Sequence, residues 1–230
     1  MKHLILAAFL LSAAPAAAAE RNFGVSGFDR VRVDGDYKVT LTVGVAPFAR
    51  AKGSMRALDP VDIVVEGRTL IVRAKTSASW GGYPGESAGP VDIMIGTHEL
   101  TAAFVNGAGS LAINKVRGLK FEASAQGAGS IAIDQVEVDQ LNLGLAGAAS
   151  ARMVGKALKL TAMVRGTSAL DGEGLVVKDA VIGAQGPAIV KLTATGTAKV
   201  DALGVAAVTL TGKPSCIVTT KGSASVSGCR

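Results

Sequence analysis

Any chemistry in this chain has to come from a short set of residues. Five carboxylates gather in two stretches: Asp134, Glu137 and Asp139 in IDQVEVDQ, and Asp171 and Glu173 in LDGEGL. Paired carboxylates can act as acid and base on a glycosidic bond, or hold a calcium ion. Turns also favour acids because they solvate well and cap backbone N–H groups, and that plainer role is the expectation here. Beyond the N-terminal leader the one histidine is His98, in THELT. No Gly-x-Ser-x-Gly elbow accompanies it, so it reads as a hydrogen-bonded surface group. One histidine and two cysteines near the C-terminus are too few ligands for a zinc site. The expectation is therefore no catalytic residue, no metal, no cofactor and no enzyme.

Two aromatic residues are better placed to bind. Trp80 and Tyr83 lie in SASWGGYPGESAGP, a loop dense in Gly and Pro, in a chain with one Trp and two Tyr. On such a loop they can stack on a sugar or anchor a partner, or fold back to cover a sheet end. The two cysteines, Cys216 and Cys229, close a short loop. In an exported protein they are expected to pair, with a contribution of roughly 3 kcal/mol. Their spacing lacks the Cys-x-x-Cys of a redox centre.

The elements that carry these residues follow a repeat. NGAGSLAI at Asn106 recurs as QGAGSIAI at Gln126 and AGAASARM at Ala146, with weaker copies at Arg165 and Gln185. The opening glycines, Gly107, Gly127, Gly147, Gly166 and Gly186, are spaced by 20, 20, 19 and 20 residues. A fixed period of this size marks stacked supersecondary units. Within each copy, alternation such as Leu111/Ile113 and Ile131/Ile133 gives short strands, and the glycines give corners. The glycine and β-branched content argues against a helical solenoid. The Gly-Ala-Gly-Ser copies mimic part of a phosphate loop, but that needs a strand before and a helix after. Here a strand follows every copy, and GKPS at Gly212 lacks the rest of the motif. Past Gly186 the copies at Thr195 and Lys221 fall out of step.

Upstream, FDRVRVDGDYKVTLTVG reads as two half-buried strands around Asp34-Gly35, most simply a hairpin. DIVVEGRTLIVRAK has the same form around Gly67, and residues 92–95 and 100–105 add two strands. SMRALDP, residues 54–60, is the one weakly helical link. The fold expected is all-β: a β-helix-like solenoid of coils about 20 residues long, its N-terminal strands capping or wrapping one end. Residues 20–105 form the N-terminal β-strand region and 106–230 the repeats, together one continuous domain.

Residues 1–19 combine Lys2, an apolar run from Leu4 to Leu11 and Ala17-Ala18-Ala19 before Glu20. That pattern is a secretory signal peptide, too short to span a membrane permanently. The mature chain is expected to be soluble and exported, to the periplasm or to the extracellular side or cell surface. Charge is balanced over residues 20–105, ten basic against ten acidic, but residues 106–230 carry thirteen basic against eight acidic. The excess suits weak attraction to an anionic glycan or simply a solvated surface. Nucleic acid is excluded by export and by the lack of interleaved aromatics.

The run GFDRVRVDGDYKVTLTVG, then RTLIVRAK, VDIMIGTHELTAAFVNGAGSLAI and the Gly-Ser repeats after it together resemble the GIN-domain family, whose label is an autotransporter adhesin head. The resemblance spans about residues 23–228. It implies a β-helix-like envelope or secreted protein and brings no catalytic residues with it. No membrane-anchoring barrel is expected beyond the repeats. The function expected is a non-enzymatic, adhesin-like binding module with an envelope or extracellular ligand. The alternatives are a small polysaccharide-acting enzyme built on the acidic turns, and a scaffold that self-associates into a homo-oligomer through its sheet faces or ends.

Overall fold

The computed structural model describes residues 19–75 and 89–230. Trp80, Tyr83 and nearly all of the leader lie outside the described residues. The strands belong to one sheet wound into a β-solenoid of about 6 turns, coils about 20 residues apart. The turns are built from β8 (Ala102–Gly107), β9 (Ser110–Ile113), β10 (Val116–Gly127), β11 (Ser130–Gly147), β12 (Ser150–Gly166), β13 (Ala169–Gln185), β14 (Ile189–Gly204), β15 (Ala207–Thr211), β16 (Ser215–Gly222) and β17 (Ser225–Ser227). Every pairing among them is parallel.

The alternation seen in the sequence becomes ladders of like side chains. One inward file runs Ala103, Ala123, Leu143, Ala162, Ile182, Val200, and another runs Leu111, Ile131, Ala151, Leu170, Val190, Val208. All of them are buried. No single coil can bury its own face, so stability comes from stacking neighbours.

The corner motif has a steric cause. Gly107, Gly127, Gly147, Gly166, Gly186, Gly204 and Gly222 form one file up the column, continued on the other side by Gly35, and all have positive φ. A Cβ at Gly127 would lie 2.7 Å from the carbonyl oxygen of Gly107, and one at Gly147 2.8 Å from that of Gly127. The same oxygens accept hydrogen bonds from Ala128 N (2.9 Å) and Ala148 N (2.7 Å). The third residue of each corner points inward and is small: Gly109, Gly129, Ala149, Ser168, Ala188, Ala206. Buried Ser168 donates its hydroxyl to Gly147 O at 3.2 Å and accepts from Ala149 N at 3.2 Å, so its polarity is satisfied.

Gly222 stands in the file, so the last copy is in step after all. The period has shortened: Gly186, Gly204 and Gly222 are 18 residues apart. Register shifts between Gly172/Val176 and Val177/Asp179 take the offset from 20 (Leu170↔Val190) to 18 (Asp179↔Thr197). Reading a strict period of 20 past this point loses the phase.

The upstream strands depart from the expected hairpin. β2 (Arg30–Asp34) and β3 (Lys38–Val43) do not pair with each other. β2 lies parallel between β8 and β6 (Thr69–Ala74), and β3 lies parallel between β9 and β7 (Asp92–Thr97). Asp34-Gly35 is therefore a solenoid corner. The coil of residues 30–43 is inserted between two layers that both follow it in sequence. Among the described upstream strands only the turn at Gly67 makes a hairpin, joining β5 (Val61–Glu66) to β6 in antiparallel register.

The same end of the column is closed by antiparallel additions. β4 (Phe48–Gly53) pairs with β7, and β1 (Ala19–Phe23) pairs with β4. The short helix α1 (Met55–Leu58) starts where Ser54 Oγ accepts from Ala57 N at 3.1 Å, and it buries Ala57 and Leu58. Asp29, 5% exposed, ties the layers together. It forms an ion pair with Arg68 in the hairpin turn, and its Oδ2 accepts from Thr101 Oγ1 at 2.9 Å.

Candidate binding surface

The register shifts of the column concentrate at one bend, with one more, between Val177 and Asp179, at the next corner. Those at the bend fall between Ile133 and Val136 in β11, between Arg152 and Gly155 in β12, and between Gly172 and Val176 in β13. They lie in successive coils at the same bend. Bulges of this kind re-aim side chains and interrupt the ladder locally. Gly155 shows how tight the bend is: its φ is +128, and a Cβ there would sit 2.2 Å from Val136 O. Two adjoining recesses result. One of about 280 Å³ is lined by Glu137, Val138, Asp139, Lys156, Ala157 and Leu158. The other, about 420 Å³, adds Gln135, Val136, Gly155 and Val176 and shares Glu137 and Lys156. Val154 and Val176 stand exposed beside them.

Both acidic turns lie on this side. Three of their five carboxylates, Glu137, Asp171 and Glu173, pair with cations in neighbouring coils. Arg117 Nε reaches Glu137 Oε2 at 2.9 Å, Lys191 Nζ reaches Glu173 Oε1 at 3.0 Å, and Arg152 Nε reaches Asp171 Oδ2 at 3.9 Å. The Glu173 hydrogen bond holds the Lys191 ammonium above its ordinary value. These are the cross-strand charge pairs that a parallel stack favours. Among the described residues no group of three His, Cys, Asp or Glu is placed to hold a metal ion.

His98 is elsewhere. It lines a recess of about 200 Å³ with Val43, Gly44, Glu99, Leu100, Lys115 and Arg117. Cys216 and Cys229 are bonded, with Cα atoms 5.7 Å apart, and the bond joins the start of β16 to the segment after β17. It thereby closes the last described coil.

Sequence alternation misplaced two leucines. In the sequence Leu119, Phe121 and Ala123, and likewise Leu158, Leu160 and Ala162, read as second alternating strand runs, yet Leu119 and Leu158 are 78% and 57% exposed. They occupy a corner position shared with Asp139 and Lys178, flanked by the paired residues on either side. The alternation restarts one step later, at Phe121 and Leu160. The bulges were also missed. Their sequence signal is the off-phase glycines Gly155, Gly172 and Gly174, together with the single 19-residue spacing.

The family model described as "Putative auto-transporter adhesin, head GIN domain" matches residues 27–214. The chain belongs to the GIN-domain family. Solved structures share its fold at low identity. A "putative adhesin" from Bacteroides fragilis superposes with a TM-score of 0.82 at 16% identity, covering 91% of this chain and 96% of its own. A "putative adhesin" from Parabacteroides distasonis gives 0.72 at 15% identity, covering 92% and 96%. A "putative lipid binding protein" from Parabacteroides distasonis gives 0.69 at 17%, covering 93% and 97%. No curated protein sequence matches. At these identities the likeness carries the fold alone. For this GIN domain, function has to be argued from its own surface.

Proposed function

We propose that this GIN domain is an exported, non-enzymatic, adhesin-like module that binds an envelope or extracellular ligand with the bulged side of its column. The observation that carries the reading is the recurrence of register shifts at the same bend of β11, β12 and β13 in successive coils, beside two adjoining recesses. Bulges cost ladder hydrogen bonds, so a stack of them at one bend needs a reason beyond folding. The family's description and the adhesin-like neighbours support a binding role. The acidic turns support it too, because Glu137, Asp171 and Glu173 pair with cations of neighbouring coils instead of facing each other across a cleft. An anionic glycan is the ligand class that best suits the cation excess of the repeat half. Trp80 and Tyr83 are proposed as additional sugar contacts.

The test is retention of envelope polysaccharides and arrayed acidic glycans at low salt by the wild-type mature protein and by Lys156→Glu, Val176→Asp and Trp80→Ala. The recess variants are expected to lose at least about tenfold in affinity with unchanged circular dichroism. Absence of retention by the wild type, or equal retention by the variants, would sink the reading. Release of shorter glycans during incubation would favour the polysaccharide-acting enzyme instead.

A further inference from the structure

A further recess lies on a different face, near the disulfide. It measures about 460 Å³ and is lined chiefly by Lys159, Asp179, Val181, Thr197, Lys199 and Ile217, over a floor of Ala180 and Ala198. The register explains its layout. One outward ladder runs Thr161, Val181, Lys199, Ile217, and the ladder beside it runs Lys159, Asp179, Thr197, Ser215. Val181 and Ile217 therefore stand on either side of Lys199, with Ile217 72% exposed. Lys159 and Lys199 are two coils apart, about 10 Å along the column.

The charge here has a positive excess. Lys159, Lys178 and Lys199 make no ion pair among the described residues. The one carboxylate in the recess, Asp179, is already engaged. It accepts from Thr197 Oγ1 at 2.6 Å and from Thr197 N at 3.2 Å. Those bonds, with Lys178 and Lys159 nearby, hold it below the ordinary carboxylate range. Asp179 therefore stays ionised, and the recess carries two cations, Lys159 and Lys199, against one carboxylate whose Oδ1 already accepts from Thr197.

We propose that this recess is a binding site for an anionic amphiphile. The carboxylate or phosphate group sits between the Lys159 and Lys199 ammonium groups, and the hydrocarbon chain lies along Val181 and Ile217. A sugar is a poorer fit, because no aromatic ring among the described residues lines the recess and Val181 and Ile217 present methyl groups to it. A free amphiphile and the headgroup of a bilayer lipid offer the same chemistry. The site is separate from the bulged side, so it stands or falls independently of the adhesive reading.

The experiment uses the mature chain and dodecyl phosphate below its micelle concentration, followed by isothermal titration calorimetry. Saturable binding is expected. Inorganic phosphate, and an uncharged dodecyl glycoside, should each bind at least about tenfold more weakly. Lys159→Gln and Lys199→Gln should each lower the affinity about tenfold, and Ile217→Asp should do the same through the chain contact. These side chains are exposed, so all three variants should keep the wild-type circular dichroism. Co-sedimentation with vesicles of neutral phosphatidylcholine, with and without anionic phosphatidylglycerol, then separates the sources. Retention on anionic vesicles identifies a bilayer headgroup as the ligand, and titration without retention identifies a free amphiphile. Binding of inorganic phosphate as tight as that of the amphiphile would overturn the proposal. So would variants that bind like the wild type, or binding seen only once micelles form.

Discussion

Replacing Gly127 by alanine tests the corner file directly. The new Cβ would lie 2.7 Å from Gly107 O and 3.3 Å from both Gly107 C and Cα. That oxygen cannot simply retreat, because it holds the Ala128 N hydrogen bond at 2.9 Å and sits on the next coil's backbone. The dihedral alone, φ +87, costs an L-residue about 1 kcal/mol or slightly more. Forcing two backbones apart by a few tenths of an ångström adds about 2 kcal/mol, and weakening the hydrogen bond adds about 1 kcal/mol. The sum is about 4 kcal/mol, which for a chain of this size lowers Tm by roughly 8–16 °C. Gly67→Ala is the control, since φ there is +62 and nothing lies within 4 Å of a built Cβ. It should cost only about 1 kcal/mol. Urea titration followed by far-ultraviolet circular dichroism compares the two. If both variants lose the same stability within about 0.5 kcal/mol, contact between successive coils is not what demands glycine, and the steric account fails.

Arg68→Ala leaves the Asp29 carboxylate buried without its cation, and equilibrium unfolding should show a loss of about 2–3 kcal/mol. The pair Cys216→Ser with Cys229→Ser should cost up to about 3 kcal/mol. Hydrogen exchange should place the loosening in β16 and β17, with β11 and β12 protected as before. Asp179 should titrate below an ordinary aspartate in carbon-detected NMR, because Thr197 hydrogen-bonds its ionised form. Thr197→Val should move that midpoint upward. The sign for stability follows: the Thr197 contribution is present above the unfolded aspartate pKa and is lost as pH falls through the lower, folded value. If the Asp179 midpoint is the same in both proteins, the assignment of its cause to Thr197 is wrong.

Much of the column was legible in the sequence because its causes are local. A glycine every twenty residues is demanded by the contact between one corner and the next, and the alternation of Leu111/Ile113 or Ile131/Ile133 is demanded by a two-sided strand. The pair Cys216 and Cys229 could be read from spacing and compartment. The single period of 20 failed where bulges changed coil length, so the copy at Lys221 fell out of phase on paper while its Gly222 remained in file. Alternation likewise passed through Leu119 and Leu158, because a corner that turns the chain by one residue leaves the hydrophobic pattern looking continuous.

Partner choice was decided only in three dimensions. Each coil strand offers the same alternating face and the same unpaired edge, so nothing in Arg30–Asp34 or Lys38–Val43 says which strands they will lie against. Inserting that coil between β6–β7 and β8–β9 satisfies both edges at once, an outcome set by the whole stack. The ion pairs that occupy Glu137, Asp171 and Glu173, and the lysines left over around Val181 and Ile217, follow from residues 18 to 20 positions apart being brought face to face. Sequence supplied the period of the winding. Only its exact length at each bend determined which side chains met.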